Sequence, residues 1–425
     1  MQFIFTTAWI LFYEYCSYKW KNRPYSIFIR NISKKLAKKN ILYVKLFQAI
    51  AFNNNLINNE INAELISFSN SVPYCEEDID FFLLEKIKYK YHLQFDNMRP
   101  INSGMISLVY KAKKPDNSFV ILKVKRKNIK EQLDDSVEKF YYISYLLSFI
   151  PFLKRMNIHS TINKTLSQMN EQLNFLNEVN NTIEMKENCK NLDYVKIPQV
   201  YPEITYLYPD VIVMEYIDGK HINEIDKEDY KIYAKQVIKY GFVTSFITGL
   251  IHADMHSGNI LFIKEEGPVY KIAPIDFGIV TKINPDVRME MLEIISQLTT
   301  SDPKLISEKL IFSFLSPPNL KNVLAPIFYK KLVEIIENIV SRSLYEKNNI
   351  NQTLIYDFLK QFNDFLLLPE IKNYDVKINE DFMKLQSAIA MANGISITLC
   401  KNDYMVVSLS VLHELFHISL FTPDQ

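Results

Sequence analysis

His252-Ala-Asp-Met-His-Ser-Gly-Asn259, followed by Ile275-Asp-Phe-Gly278, decides what kind of fold this chain adopts. The first stretch sets Asp254 ahead of Asn259 on one short loop. The second sets Asp276 on a Phe-Gly turn. Phosphoryl transfer from a nucleotide needs one carboxylate to take a hydroxyl proton, then an Asn and an Asp to hold metal ions on the phosphates. The two stretches supply those groups in that order. Either alone is a weak signal, and the pair is a strong one. Asp254 is therefore the expected catalytic base, and Asn259 and Asp276 the expected metal ligands. His252 and His256 are expected to brace the loop.

Tyr208-Pro-Asp-Val-Ile-Val-Met-Glu-Tyr-Ile-Asp-Gly219, upstream of that loop, is an apolar strand run ending in a turn. It fits a hinge strand in which backbone groups of Met214, Glu215 and Tyr216 hydrogen-bond an adenine. Between the hinge and the loop, residues 228–250 read as one amphipathic helix. Beyond it, 260–263 and 269–275 read as short strands around Lys264-Glu-Glu-Gly-Pro268. After Gly278 the pattern is helical to the end, broken near Ser316-Pro-Pro318 and Pro369. No Ala-Pro-Glu-like segment separates Gly278 from the helix around Arg288, so a peptide-binding activation segment is not evident.

Toward the amino end, residues 99–113 alternate as a strand after a loop, Lys114-Pro-Asp-Asn-Ser118 is turn chemistry, and Phe119-Val-Ile-Leu-Lys-Val-Lys125 is a second strand. Set against G-x-G-x-x-G-x-V, the first loop gives Asn102, Gly104, Ser107 and Val109, with Ile101 just before it. Only the middle glycine survives, yet a glycine there lets backbone amides approach a phosphate. Lys123 sits among Val120, Ile121, Leu122 and Val124, where burial without a partner is expensive. Glu178, on a helical segment from Gln172, is available to pair with it and fix it on the α- and β-phosphates. A solvated lysine and a solvated helix glutamate are the bland alternatives.

In this order the loop, lysine, glutamate, hinge and two catalytic stretches resemble the UbiB family of atypical kinases, also called aarF-domain kinases, from about residue 40 to about residue 310. His252–Asn259 looks like that family's H-x-D-x-H-P-G-N, with Ser257 where proline is usual. Val120-Ile-Leu-Lys-Val-Lys-Arg126 looks like its V-A-V-K-V-Q-R strand. Lys45-Leu-Phe-Gln48 stands where the family carries K-x-G-Q, with Phe47 replacing the glycine. The Ala-rich loop of the family reads Asn102-Ser-Gly-Met105 here, and its E-x-D helix motif reads Gln172-Leu-Asn174.

The resemblance implies an α+β, bilobal protein-kinase-like fold with a small β-containing N-lobe and a helical C-lobe. The expected division is an N-terminal helical extension over 1–93, an N-lobe with a helical insertion over 94–216, and the C-lobe over 217–425. It implies ATP and magnesium as cofactors, a nucleotide partner, a link to coenzyme Q and lipid metabolism, and a K-x-G-Q segment that disfavours peptide substrates. The departures at Phe47, Gln172 and Asn174 leave that restraint, and the nucleotide and metal preference, open. Alternatives are a small-molecule phosphotransferase of the aminoglycoside or choline kinase type and a nucleotide-binding pseudokinase scaffold.

Composition agrees with a folded protein. The 425 residues are 48% hydrophobic and 23% charged, with net charge +1, which gives no support to a nucleic-acid binder. Cys16, Cys75, Cys189 and Cys400 form no CxxC pair and read as reduced thiols of an intracellular protein. Residues 27–70 and 79–93 carry helical spacing, with an Asn-rich break over 53–62. At the start, residues 1–18 are apolar apart from Glu14 and are followed by Lys19, Lys21 and Arg23. A peripheral membrane helix and a buried amphipathic helix both remain open there, since a span needs about 20 apolar residues. Near the end, His413-Glu-Leu-Phe-His417 matches the zinc-protease H-E-x-x-H, but no His or Glu follows it as a third ligand.

Overall fold

A computed structural model of the chain describes residues 2–21, 24–37, 43, 72, 74–147, 171–297, 301–317, 319–345, 361–362, 364–366, 368–400 and 403–416. The chain packs as two compact units: Met1–Glu187 with Ile197–Asp218 and Ile275–Ile279, and Asn188–Lys196 with Gly219–Pro274 and Val280–Gln425.

The first unit is built on an antiparallel sheet in the order β1 (Asn102–Ser103), β2 (Ser107–Lys113), β3 (Phe119–Lys125) and β4 (Val211–Glu215). Alternation along β2 and β3 puts Leu108, Tyr110 and Ala112, and Val120, Leu122 and Val124, into a core. Leu84 and Ile87 of α3 (Phe81–Lys90) join them there. That helix realises the one expected over 79–93. Asp80 caps it by accepting from the Leu83 amide at 3.0 Å, and a 3₁₀ turn, Glu76–Asp78, precedes it. The β2–β3 turn works as its residues predict, with Asn117 at φ 68° and Asp116 accepting from the Ser118 amide.

Two helices, α1 (Gln2–Trp20) and α2 (Tyr25–Ala37), belong to the same unit. Glu14 is buried on α1 and is paired with Lys35 of α2 at 2.5 Å. Ile10, Ile32 and Leu36 lie in one core with Met105, Ile106, Phe175, Val179 and Met214. The helical pattern expected beyond Ala37 to residue 70 lies outside the described residues, except at Tyr43. The unit is completed by α4 (Ile129–Leu147), α5 (Phe175–Asn188) and α6 (Pro202–Leu207).

The second unit is mainly helical. The single helix expected over 228–250 is instead a 3₁₀ turn (Lys227–Asp229), α7 (Tyr230–Phe242), a π-helical segment (Val243–Thr248) and then strand β5 (Leu250–His252). Thr244 donates its hydroxyl to the Tyr240 carbonyl and Thr248 to that of Thr244. Such back-bonding competes with the regular ladder. Gly249, at φ +74°, then ends the helix in the left-handed conformation.

Strands β6 (Ile260–Lys264) and β7 (Tyr270–Pro274) form the expected hairpin. The purely helical pattern expected after Gly278 is corrected by β8 (Val280–Lys282), which pairs antiparallel with β5, Ile251 opposite Thr281. A three-residue strand has no period of its own, and its partner is distant in sequence. The helices that follow are α8 (Pro285–Gln297), α9 (Pro303–Phe314), α10 (Leu320–Val323), α11 (Pro326–Tyr345), α12 (Pro369–Lys372), α13 (Glu380–Cys400) and α14 (Tyr404–Phe416). Residues Leu315–Ser316 pair with Lys377–Ile378. Ile294, Ile306, Phe314, Leu332 and Phe365 are among the residues of this core.

Candidate active site

The middle of β3 carries Lys123, and its ammonium converges on two carboxylates. Nζ donates to Glu178 Oε1 at 2.7 Å and Oε2 at 2.9 Å, and to Asp276 Oδ2 at 2.9 Å. Glu178, on the first turn of α5, is 2% exposed. Burial pushes its carboxyl up to about 7 against the pull of Lys123, and Asp276 adds to the rise. Burial works against the Lys123 charge too, but the Asp276 and Glu178 carboxylates overcome it and the lysine titrates above its ordinary value. One ammonium thus serves two carboxylates, and the cluster holds an excess of acid. Phe175 lies beneath, its ring centroid 5.8 Å from Lys123 Nζ and 5.0 Å from that of Lys125.

The Asp-Phe-Gly turn is held from both sides. Gly278 donates its amide to Asp276 Oδ1 at 3.1 Å, and Asn181 Nδ2, one turn beyond Glu178 on α5, donates to the Phe277 carbonyl at 3.0 Å. The Phe277 side chain is buried. A Cβ at Gly278 would stand 3.3 Å from Asp276 Oδ1, 3.5 Å from Gln172 Cγ and 3.7 Å from Glu178 Oε2. The glycine therefore keeps room beside the carboxylates. Gln172, which stands where the family motif has Glu, borders that room as an amide.

The Gly104 turn closes the β1–β2 hairpin. Ile101 donates to the Val109 carbonyl at 2.7 Å and Gly104 to that of Ser107 at 2.9 Å, and Asn102 pairs with Val109 in register. Ile101 and Asn102 are exposed, whereas Ser107 is buried. At the hinge, the Glu215 amide donates to the Gln199 carbonyl at 2.7 Å and the Tyr216 amide to Phe119 at 3.3 Å. Both amides are therefore engaged within this unit, and Met214 pairs with Ile121 in the β3–β4 ladder.

In the second unit, β5 delivers the chain into the His252–Asn259 loop. His252 is buried, and its Nδ1 accepts from the Asp254 amide at 3.2 Å. Asn259 Nδ2 donates to the Asp254 carbonyl at 2.9 Å, so the two candidate residues are tied through the loop's own backbone. His256 Nδ1 accepts from the Gly258 amide at 3.1 Å, and its carbonyl accepts from that of Asn259 at 2.9 Å. Both histidines therefore shape the loop by accepting from the amide two residues on.

Several expectations fall elsewhere. Lys45, Phe47 and Gln48 lie outside the described residues, as does His417. Glu414 of the H-E-x-x-H stretch is engaged by Lys235 at 2.9 Å and Lys239 at 2.6 Å, and both hold its carboxyl below the ordinary value. Arg126, Asp78 and Asn181 received no role from the sequence. Asn181 was legible in principle, because it shares a helix face with Glu178. Arg126 closes a strand of otherwise obvious pattern, and nothing local marks it as buried.

An antiparallel sheet with a buried lysine held by a helix glutamate, together with a helical unit, is the architecture of the protein-kinase-like class. The chain belongs to the ABC1 atypical kinase-like family, whose domain matches residues 69–310. Among curated proteins it is 26% identical over 314 residues to a probable protein kinase UbiB of Tolumonas auensis, covering 69% of this chain and 57% of that protein. It is 29% identical over 254 residues to the Providencia stuartii protein of the same description, covering 56% and 46%. The chain thus spans about half the length of these relatives. A solved Mycobacterium tuberculosis protein, Rv3197 in complex with erythromycin, aligns over 88% of this chain and 92% of its own, with TM-score 0.52 and 15% identity. That likeness speaks to the fold alone.

Proposed function

We propose that this chain is an ATP-dependent atypical kinase or ATPase of the UbiB type. The Lys123–Glu178–Asp276 cluster carries this reading. A buried lysine held by a helix glutamate is the device that fixes α- and β-phosphates in kinases. Magnesium is the cation this reading implies. Asp276 and Asn259 offer hard oxygen ligands, and the acid excess around Lys123 favours a divalent cation. Magnesium, when bound, neutralises charge on the phosphate oxygens.

The remaining steps belong to the chain. The Gly104 turn, from Asn102 to Ser107, covers the phosphates. Glu215 and its neighbours receive the adenine. Asp254 accepts the proton of the attacking hydroxyl or water, its loop braced by His252 and His256. A small or lipid-like acceptor, or water, is favoured over a peptide, because only Ile279–Asn284 separate Gly278 from α8. The amides Gln172 and Asn174 favour a second reading, a nucleotide-binding scaffold with little turnover. Small-molecule phosphotransferases of the aminoglycoside type share the His252–Asn259 pattern, but not the Phe-Gly after the second aspartate.

Calorimetric titration with magnesium-ATP and steady-state hydrolysis, with and without lipid vesicles, separate these readings. Turnover is expected in the wild type and is expected to fall about a thousandfold in Asp254→Asn, whose nucleotide affinity is retained. Asp276→Asn is expected to lose magnesium-dependent binding. Magnesium-dependent binding and turnover left unchanged by Asp276→Asn would sink the proposal. Binding without turnover in the wild type would establish the scaffold reading.

A further inference from the structure

Arg126 makes a set of bonds that the catalytic cluster does not use. It follows β3, is 4% exposed, and places its guanidinium beneath the Gly104 turn. Nε and Nη2 both donate to the Gly104 carbonyl, at 3.1 and 2.8 Å. Nη2 also donates to Ser103 Oγ at 2.9 Å, and the Arg126 amide donates to the Ile106 carbonyl at 2.9 Å. On its far side Nη1 donates to Asp78 Oδ2 at 2.7 Å. Asp78 is itself fixed, because the same carboxylate oxygen accepts from the Cys75 amide at 3.0 Å and its carbonyl accepts from the Lys127 amide at 2.8 Å. Ser103 passes the connection on by donating its hydroxyl to the Val72 carbonyl at 2.7 Å.

The geometry points to Arg126 as the positioning residue of the phosphate loop, a planar fork pinned to Asp78 that fixes the Gly104 peptide. Two N–H groups on one carbonyl set its plane as well as its distance, which a lysine cannot do. The loop needs such support because it keeps only one glycine-motif glycine and Ser107 is buried. Its tip residues Met105 and Ile106 sit in the core, so a tilted Gly104 peptide would disturb apolar packing as well as the turn. Arg126 is not itself a phosphate ligand. Its guanidinium is buried and its charge is matched by Asp78, while Nη2 also reaches the Val72 carbonyl at 3.4 Å.

The inference rests on the nucleotide reading above, and the test separates the two. Affinities for magnesium-ATP and for adenosine, which lacks phosphates, are measured by calorimetry on the full chain, beside the melting temperature. Arg126→Lys and Asp78→Asn are expected to weaken magnesium-ATP binding about tenfold while adenosine affinity stays as in the wild type. Amide exchange of residues 103–107 is expected to quicken in both variants, with β3 and β4 protected as before. Ser103→Ala, which removes one anchor and leaves the ion pair, is expected to give a smaller loss and remains informative if Arg126→Lys folds poorly. A parallel fall in both affinities, or wild-type magnesium-ATP affinity in Arg126→Lys, would overturn the proposal while leaving the nucleotide reading intact. A wild-type protein that binds neither ligand would overturn both.

Discussion

Lys123 Nζ stands 2.7 Å from Glu178 Oε1, a charge pair between the middle of β3 and the first turn of α5. Asp276 Oδ2 shares the same ammonium at 2.9 Å. Removing one partner of a buried pair costs more than the pair contributes, because the other charge is stranded. Lys123→Met is expected to lower stability by about 3–5 kcal/mol, since it leaves two carboxylates facing each other. Glu178→Gln keeps an acceptor and is expected to cost about 1–3 kcal/mol. Urea denaturation of both variants and their double mutant reads the coupling; strict additivity would show that the pair carries no mutual energy.

Glu178 also makes a pH prediction. Its folded-state value of about 7 lies above the ordinary 4.5, so the folded state holds the proton more tightly than the unfolded one. Its contribution to stability is fully present below pH 4.5 and is lost as pH rises to about 7. The wild-type melting temperature is therefore expected to decline across that window more steeply than that of Glu178→Gln. Parallel profiles for the two proteins would refute the assignment.

Gly249 meets Arg288 at close quarters. A Cβ built there would lie 2.5 Å from Arg288 Nη1, and the backbone is left-handed at φ +74°. Gly249→Ala is expected to cost about 1–2 kcal/mol from the backbone alone, plus the displacement of Arg288. Adding Arg288→Ala should recover the steric part only. Because Gly249 opens into β5 and His252, turnover is expected to fall with stability. An unchanged melting temperature in Gly249→Ala would show that the conformation at this position is not required.

Several aromatic residues of the first helix are exposed. Phe5, Trp9, Phe12 and Trp20 are more than half exposed, Trp20 at 91%, while Glu14 faces inward to Lys35. Among the described residues no helix is long and apolar enough to cross a membrane. An exposed aromatic face beside Lys19 and Lys21 fits the headgroup region of an anionic bilayer. Co-sedimentation with anionic vesicles is expected to fall at least several-fold in a Phe5→Ser, Phe12→Ser variant whose melting temperature is unchanged. Equal sedimentation of the two proteins would argue against a lipid partner at this face.

Much of the site is legible in one dimension because it is local. The His252–Asn259 loop folds on itself, with Asn259 bonded to Asp254 and each histidine to the amide two residues on, so spacing alone specifies its shape. The β2–β3 hairpin is similar: alternation and the Asp116–Asn117 turn specify it without help from elsewhere. By contrast, the β5–β8 pairing depends on a strand from beyond Gly278, and no periodicity announces it.

The sequence by itself determined the family, the two stretches of the candidate site and the sheet's hairpin, because each rests on neighbours along the chain. The Lys123–Glu178 pair expected from the sequence forms, and tertiary structure decided which further charges share a partner. Lys123 meets Glu178 across 55 residues and Asp276 across 153, and Arg126 meets Asp78 across 48. Whether a lysine on an apolar strand is solvated or locked between carboxylates depends on what packs against that face. So does the setting of Arg126, a charge that the sequence places at a strand's end and the fold places beneath the Gly104 turn.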